Sequence, residues 1–137
     1  MTNTTNIEHL VLKIKANQQS IQFYDEFLSL LGYIQDIKTA EYINYTNGKI
    51  PIGLYFTPEF TENIEISAGL GHIAWQTNHL YIYQKLVVLI KKYDLEYETL
   101  GEKRQHHTQN FETISFYCPS GNRLELVLGA WGFGLES

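Results

Sequence analysis

Cysteine is scarce in this sequence, as it is in proteins of a reducing compartment. It contains one cysteine, Cys118, among 137 residues, so no internal disulfide can form, and we expect a packed thiol in a cytoplasmic protein. No apolar run reaches the roughly 18–20 residues that cross a bilayer. The N-terminus lacks the basic and apolar segments of a secretory signal. We therefore expect no membrane partner.

Positive charge is also scarce. Lys and Arg number 10 against 15 Asp and Glu, a net charge of −5, and the basic residues form no long run. Because nucleic acid binding needs a basic face, we expect no nucleic-acid partner. The hydrophobic fraction of 44% is enough for a core, and a chain of this length corresponds to one domain. The sequence thus predicts a single domain over residues 1–137.

Hydrophobic periodicity divides the chain into the same series of elements twice. The first half-module, about 7–57, has strands at 7–14, 33–38, 41–46 and 49–57 and a helix at 18–31. The second, about 69–129, has strands at 69–77, 95–100, 113–118 and 123–128 and a helix at 80–93. We predict an α+β fold in which two βαβββ modules form one curved mixed sheet, a half-barrel, with the helices on its outer face.

Three local signals refine this prediction. The dipeptide Asn47-Gly48 indicates a hairpin turn, since both residues tolerate positive φ. Pro51, which lies in the predicted strand after that turn, favours an edge position because proline has no N–H for a sheet ladder. Asn78 is a predicted N-cap of the second helix.

Three side chains that can bind a metal share one property. His9, His72 and Glu125 each lie on the strand face opposite the bulkier apolar residues. If both halves form one half-barrel, the three converge inside it. Two imidazoles and a carboxylate make a facial triad with open coordination positions. This pattern predicts a divalent metal, with Fe, Mn, Zn, Ni and Co all compatible.

Two stretches of the sequence resemble the vicinal oxygen chelate superfamily, which includes glyoxalases, bleomycin-resistance proteins and dioxygenases. They are "FYDEFLSLLGY" at 23–33 and "FYCPSGNRLELVLG" at 116–129. With the paired modules, the resemblance covers nearly the whole chain. It implies metal ligands at His9, Gly53, His72 and Glu125, of which Gly53 has no donor side chain. It also implies a homodimer in which strands of two chains can build each site.

The resemblance leaves the reaction open. Glyoxalase I enzymes typically use all four ligand positions, so Gly53 counts against that activity. Three ligands resemble extradiol dioxygenases and fosfomycin-modifying thiol transferases. However, Ser115 stands where the former have a tyrosine, and 109–112 lacks the Ser-Glu-Gly loop of the latter. Lyase or isomerase chemistry, ring cleavage and thiol transfer all remain.

Four further residues are candidates for roles around the metal. We predict proton transfer by His107 or Tyr55 and substrate binding by Gln76. Arg123 either neutralises an anionic substrate, pairs with Glu125 or lies at the mouth of the barrel. The predicted function is a metal-dependent enzyme, a lyase or a dioxygenase, acting on a small molecule with two vicinal oxygens. The alternative is a metal-free small-molecule or drug-binding protein of the bleomycin-resistance type, whose dimer forms an aromatic-lined groove.

Overall fold

A computed structural model describes residues 5–57, 71–103 and 110–129. The chain divides into two compact units, residues 1–62 and 63–137. Within the described residues, no helix combines the length and apolar character needed to cross a membrane.

The first unit is a four-stranded mixed sheet with one helix. Its elements are β1 (Leu10–Lys15), α1 (Gln18–Leu30), β2 (Ile34–Lys38), β3 (Tyr42–Thr46) and β4 (Ile52–Thr57). The strand order is β1-β4-β3-β2, with β1 parallel to β4 and the other pairs antiparallel. A parallel pair needs a crossover connection, and α1, β2 and β3 lie in that connection.

Local signals explain where α1 begins and ends. Asn17 is its N-cap, and Asn17 Oδ1 accepts a hydrogen bond of 2.8 Å from the backbone N–H of Ser20, which satisfies one of the free donors of the first turn. Gly32 follows the helix with φ of 92°, a conformation that only glycine adopts without strain. The predicted helix is therefore confirmed to within one residue at its C-terminal end.

One face of α1 and one face of the sheet form the core of the first unit. Phe23, Phe27 and Leu28 are fully buried, as are Ile14 and Leu54. Tyr45 is also fully buried, but its phenol donates a 2.9 Å hydrogen bond to Asp25 Oδ1. Burial, and then the hydrogen bond and charge of Asp25, raise the pKa of Tyr45 above its usual range.

The prediction that Pro51 marks an edge strand is wrong. β4 lies between β1 and β3, and Pro51 stands immediately before it. The Pro51 carbonyl accepts a 2.9 Å hydrogen bond from the Leu10 N–H. Proline is tolerated here because the sheet uses its carbonyl as an acceptor and does not need an N–H donor from it. The Asn47-Gly48 turn is present, with Gly48 at φ of 82° and Asn47 Oδ1 accepting from two backbone N–H groups.

The second unit repeats this arrangement. Its elements are β5 (Ile73–Thr77), α2 (Leu80–Lys92), β6 (Tyr97–Lys103), β7 (Asn110–Tyr117) and β8 (Arg123–Leu128). The strand order is β5-β8-β7-β6, with β5 parallel to β8 and the other pairs antiparallel. The α+β class and both βαβββ modules are thus confirmed.

Two local predictions in the second unit change. The N-cap of α2 is His79, without a side-chain hydrogen bond to the helix, whereas Asn78 Oδ1 accepts from Gln76 Nε2 at 2.8 Å. β6 extends to Lys103, three residues beyond the predicted strand. The core is as expected: Leu86, Ile114, Leu124 and Leu126 are fully buried.

Candidate functional site

Glu125 lies on the sheet face opposite the core of the second unit. Its neighbours in β8, Leu124 and Leu126, are fully buried, so alternation directs Glu125 to the other face. On that face it pairs with Ala74 of β5 and Ser115 of β7. The Glu125 side chain is only 12% exposed, which is costly for a carboxylate without partners.

The carboxylate of Glu125 has a partner at each oxygen. His72, immediately before β5, places Nε2 at 2.5 Å from Oε2, and Arg123 Nη2 lies 3.8 Å from Oε1. An imidazole nitrogen and a carboxylate oxygen that meet on neighbouring strands are two donors of the kind that divalent transition metals bind. His72 and Glu125 are therefore brought together as a candidate metal site requires.

Arg123 is held in place from a second side. Its Nε donates a 2.9 Å hydrogen bond to Ser115 Oγ, and Ser115 is only 7% exposed. Of the roles predicted for Arg123, the contact with Glu125 is observed. Ser115 therefore orients this guanidinium toward Glu125.

The first unit has the equivalent positions in the same register. Leu10 pairs with Ile52 and Val11 with Gly53, as Ile73 pairs with Leu124 and Ala74 with Glu125. His9 thus corresponds to His72, each one residue before its strand. His9 Nδ1 lies 3.0 Å from Glu8 Oε1, and both side chains are exposed. An exposed pair of this kind contributes little to stability.

Tyr55 occupies the space beside Gly53. A Cβ at Gly53 would lie 3.0 Å from Tyr55 Cε1, which is tighter than nine in ten real Cβ contacts, so the ring would have to shift by a few tenths of an ångström. The Tyr55 ring stacks on Tyr42, with ring centres 5.0 Å apart and planes inclined by 13°. At the position where the second unit has the Glu125 carboxylate, the first unit has Gly53, with the stacked rings of Tyr55 and Tyr42 beside it.

The remaining predicted residues are not brought to Glu125 by the described contacts. Gln76 donates to Asn78, and His107 lies outside the described residues. Over the part of the chain that the structure describes, no group of three or more His, Cys, Asp or Glu side chains is arranged to hold a metal. Cys118 is buried, as expected for a packed thiol.

A pocket of about 370 Å³ lies beside Arg123 on the second sheet. The described residues that line it are Glu96, Tyr97, Glu98, Ser115, Tyr117 and Arg123. Of these, Arg123 was predicted from the sequence as a substrate-binding candidate, whereas Glu96, Tyr97 and Glu98 were missed. The available signal was the alternation of Glu96 and Glu98 in the strand predicted at 95–100. Without the pairing of β6 with β7, nothing connected those carboxylates to Arg123.

Solved structures with the same arrangement identify the fold. A Bacillus halodurans protein described provisionally as a glyoxalase superposes with a TM-score of 0.69 at 21% identity, over 88% of this chain and 93% of that chain. Lactoylglutathione lyase from Agrobacterium tumefaciens gives 0.65 at 16%, over 96% and 100%. This chain has the vicinal oxygen chelate fold.

A third structure with this fold contains ligands. It is a mutant of the fosfomycin resistance protein FosX from Listeria monocytogenes, complexed with Mn(II) and 1S,2S-dihydroxypropylphosphonic acid. It superposes with a TM-score of 0.65 at 17% identity, over 93% of both chains. No protein-family model and no curated protein sequence matches this chain significantly. At these identities the likeness establishes the fold, and the activity has to be argued from the residues.

Proposed function

We propose that this protein is a metal-dependent enzyme that acts on a small molecule with two vicinal oxygen atoms. The observation that carries the proposal is the meeting of His72 Nε2 and Glu125 Oε2 at 2.5 Å on the open face of the second sheet. A largely buried carboxylate that faces an imidazole beside a pocket has the donor types and the substrate access of a catalytic metal site.

The residues fit a divalent metal in number and kind if His9 is the third ligand. His9 is proposed because it occupies the register position equivalent to His72, which makes a single domain with one shared site part of the proposal. The set is then two imidazoles and one carboxylate. When bound, the metal supplies Lewis acidity toward both substrate oxygens.

Arg123 would hold Glu125 in its ligand orientation. Its guanidinium is anchored by Ser115 and lies against Oε1, which leaves Oε2 directed at His72. Such outer contacts orient ligands and tune their basicity. Proton transfer by His107 or Tyr55 and substrate binding by Gln76 stay predictions, as do the homodimer and the cytoplasmic location. Lyase or isomerase, dioxygenase and thiol-transferase chemistry are all compatible with this set.

Elemental analysis of protein purified without a histidine tag tests the metal site. We expect near-stoichiometric Fe, Mn, Zn, Ni or Co in the native chain and its loss in Glu125→Gln and His72→Ala. The matched control is Glu41→Gln, an exposed carboxylate in the first unit, which should keep the metal. His9→Ala tests the third ligand separately. Metal contents that are equal in all five proteins would refute the site.

A second candidate is a metal-free binding protein of the bleomycin-resistance type. The observation in its favour is that His72 and Arg123 already contact the two oxygens of Glu125, and Arg123 also donates to Ser115, without a metal. In that case, the native chain takes up none of the five metals after incubation with each. His72→Ala then leaves ligand affinity intact, whereas under the first proposal it abolishes activity.

A further inference from the structure

The polar face around Glu125 continues across the second sheet to β6. Two rows of residues, paired across β6, β7 and β8, lie on this face, and the strand register defines both rows. Glu98 of β6 pairs with Ser115, which pairs with Glu125. In the next row, the backbone carbonyl of Glu96 accepts from the Tyr117 N–H, and Tyr117 pairs with Arg123. Glu96 and Glu98 therefore share a face with the proposed metal ligand.

The charge of the pocket on this face is negative. Glu96 and Glu98 line it, and neither carboxylate has a hydrogen bond or an ion pair with any residue the structure describes. Among the described lining residues, the one cationic side chain is Arg123, which is already bonded to Ser115 and close to Glu125. A ligand that enters the pocket thus meets two uncompensated carboxylates.

Aromatic surface adjoins these carboxylates. Tyr117 lines the pocket and is 47% exposed, so its ring is accessible from the solvent side. Carboxylates beside an aromatic face are the combination that binds ammonium groups, because the ring quadrupole and the negative charges both attract a cation. The pocket chemistry favours a positively charged group over a neutral or anionic one.

Ser115 adds a requirement for an oxygen. Its side chain lines the pocket and is more than nine-tenths buried. The hydroxyl accepts from Arg123 Nε, but a serine hydroxyl also has one proton to donate, and no described residue accepts it. A buried donor without an acceptor costs free energy, so a ligand oxygen at this point is favourable.

We propose that the substrate of this site is an oxygenated small molecule that carries an amine or ammonium group, bound with its cation between Glu96, Glu98 and Tyr117. The inference rests on the proposed function, which places the vicinal oxygens at Glu125. Two strand spacings, roughly 10 Å, separate β8 from β6. The cationic nitrogen therefore lies roughly 10 Å from the reacting oxygens, about eight bonds along an extended molecule, with a substrate oxygen accepting from Ser115 between them.

Choline tests the pocket directly, because it combines a quaternary ammonium group with a nearby hydroxyl. The control ligand is 3,3-dimethylbutan-1-ol, its neutral isostere. Titration of metal-free protein, followed by two-dimensional NMR at low ionic strength, should show saturable choline binding at least about tenfold tighter than that of the isostere. Equal affinities for the two ligands would overturn the proposal.

Variants locate the binding. Glu96→Gln/Glu98→Gln should weaken choline binding about tenfold, since both attracting charges are lost. Glu112→Gln is the matched control, because Glu112 is exposed on β7 but alternates to the other face of the sheet, and it should change nothing. Ser115→Ala should weaken choline binding more than the binding of tetramethylammonium, which has no oxygen, because the release of Arg123 affects both ligands alike. Unchanged choline affinity in the double variant contradicts the inference.

The metal-free format separates this test from the test of the proposed function. If the chain binds metal through Glu125 but binds choline and its isostere with equal affinity, the metal site is supported and the cationic substrate is refuted. If the chain binds choline through Glu96 and Glu98 but takes up no metal, the pocket is supported as the ligand site of a binding protein, and the proposed enzyme is refuted.

Discussion

Replacing Tyr45 with Phe should have opposite effects on stability at neutral and at alkaline pH. At neutral pH the change removes one hydrogen bond, from the Tyr45 phenol to Asp25. Asp25 is exposed, so water can replace the lost donor. The cost should be near the usual net value for one hydrogen bond, about 1 kcal/mol.

Above pH 10 the native tyrosine becomes a disadvantage. Burial, and then the hydrogen bond and charge of Asp25, raise the pKa of Tyr45 above the 10.0 of a free tyrosine. Its contribution to stability is therefore complete below pH 10 and decreases as pH rises, because the unfolded chain ionises first. The loss for one such group reaches about 1.4 kcal/mol at one pH unit above the unfolded pKa. This loss slightly exceeds the value of the hydrogen bond.

We therefore expect the stability difference between the native chain and Tyr45→Phe to decrease above pH 10 and to change sign near pH 11. The measurement is urea unfolding of both proteins between pH 8 and 11.5, followed by circular dichroism. Other tyrosines, such as Tyr83, whose pKa is raised by burial and by Glu112, are present in both proteins and cancel. A difference that stays constant over this range would refute the reasoning.

Two further predictions test local geometry. Gly53→Ala should be less favourable, by up to about 1 kcal/mol, in the native chain than in a Tyr55→Ala background, because the Tyr55 ring, which stacks on Tyr42, must shift to admit the new Cβ. Equal effects in both backgrounds by urea unfolding would contradict the contact. Asn17→Ala should lower the unfolding free energy by about 1 kcal/mol, since it removes the side-chain cap of α1. His79→Ala, at the N-cap of α2, should change it little, because His79 makes no such hydrogen bond. Similar losses in the two variants would show that capping is not the cause.

Periodicity predicted most elements because they bury a single face; β2, which is exposed along its whole length, is an exception. The predicted strand at 123–128 has the observed bounds of β8, and the helix at 18–31 matches α1 to within one residue. Leu124 and Leu126 alternate with Glu125, so burial alone determines which way Glu125 points. The failures are at element ends, where Pro51 and Asn78 depend on which backbone group needs a partner.

The sequence predicted which face of its own strand each site residue occupies, but not which residues on neighbouring strands it contacts. Parity placed Glu125 on the open face, and the repeat suggested His72 as its partner. The Ser115–Arg123 hydrogen bond and the position of Glu98 depend on the register of β6, β7 and β8. A one-residue slip in that register would exchange faces, and no signal in a single sequence determines it.

The contact between Tyr55 and the open position at Gly53 also limits how this sequence can change over evolution. The two halves have the same register, and glycine and glutamate codons differ by a single base, so a carboxylate at 53 is one mutation away. Its first side-chain carbon would meet the Tyr55 ring at 3.0 Å. A carboxylate at position 53 therefore requires the Tyr55 ring to shift by a few tenths of an ångström, so a smaller side chain at position 55 makes that single mutation easier to accept.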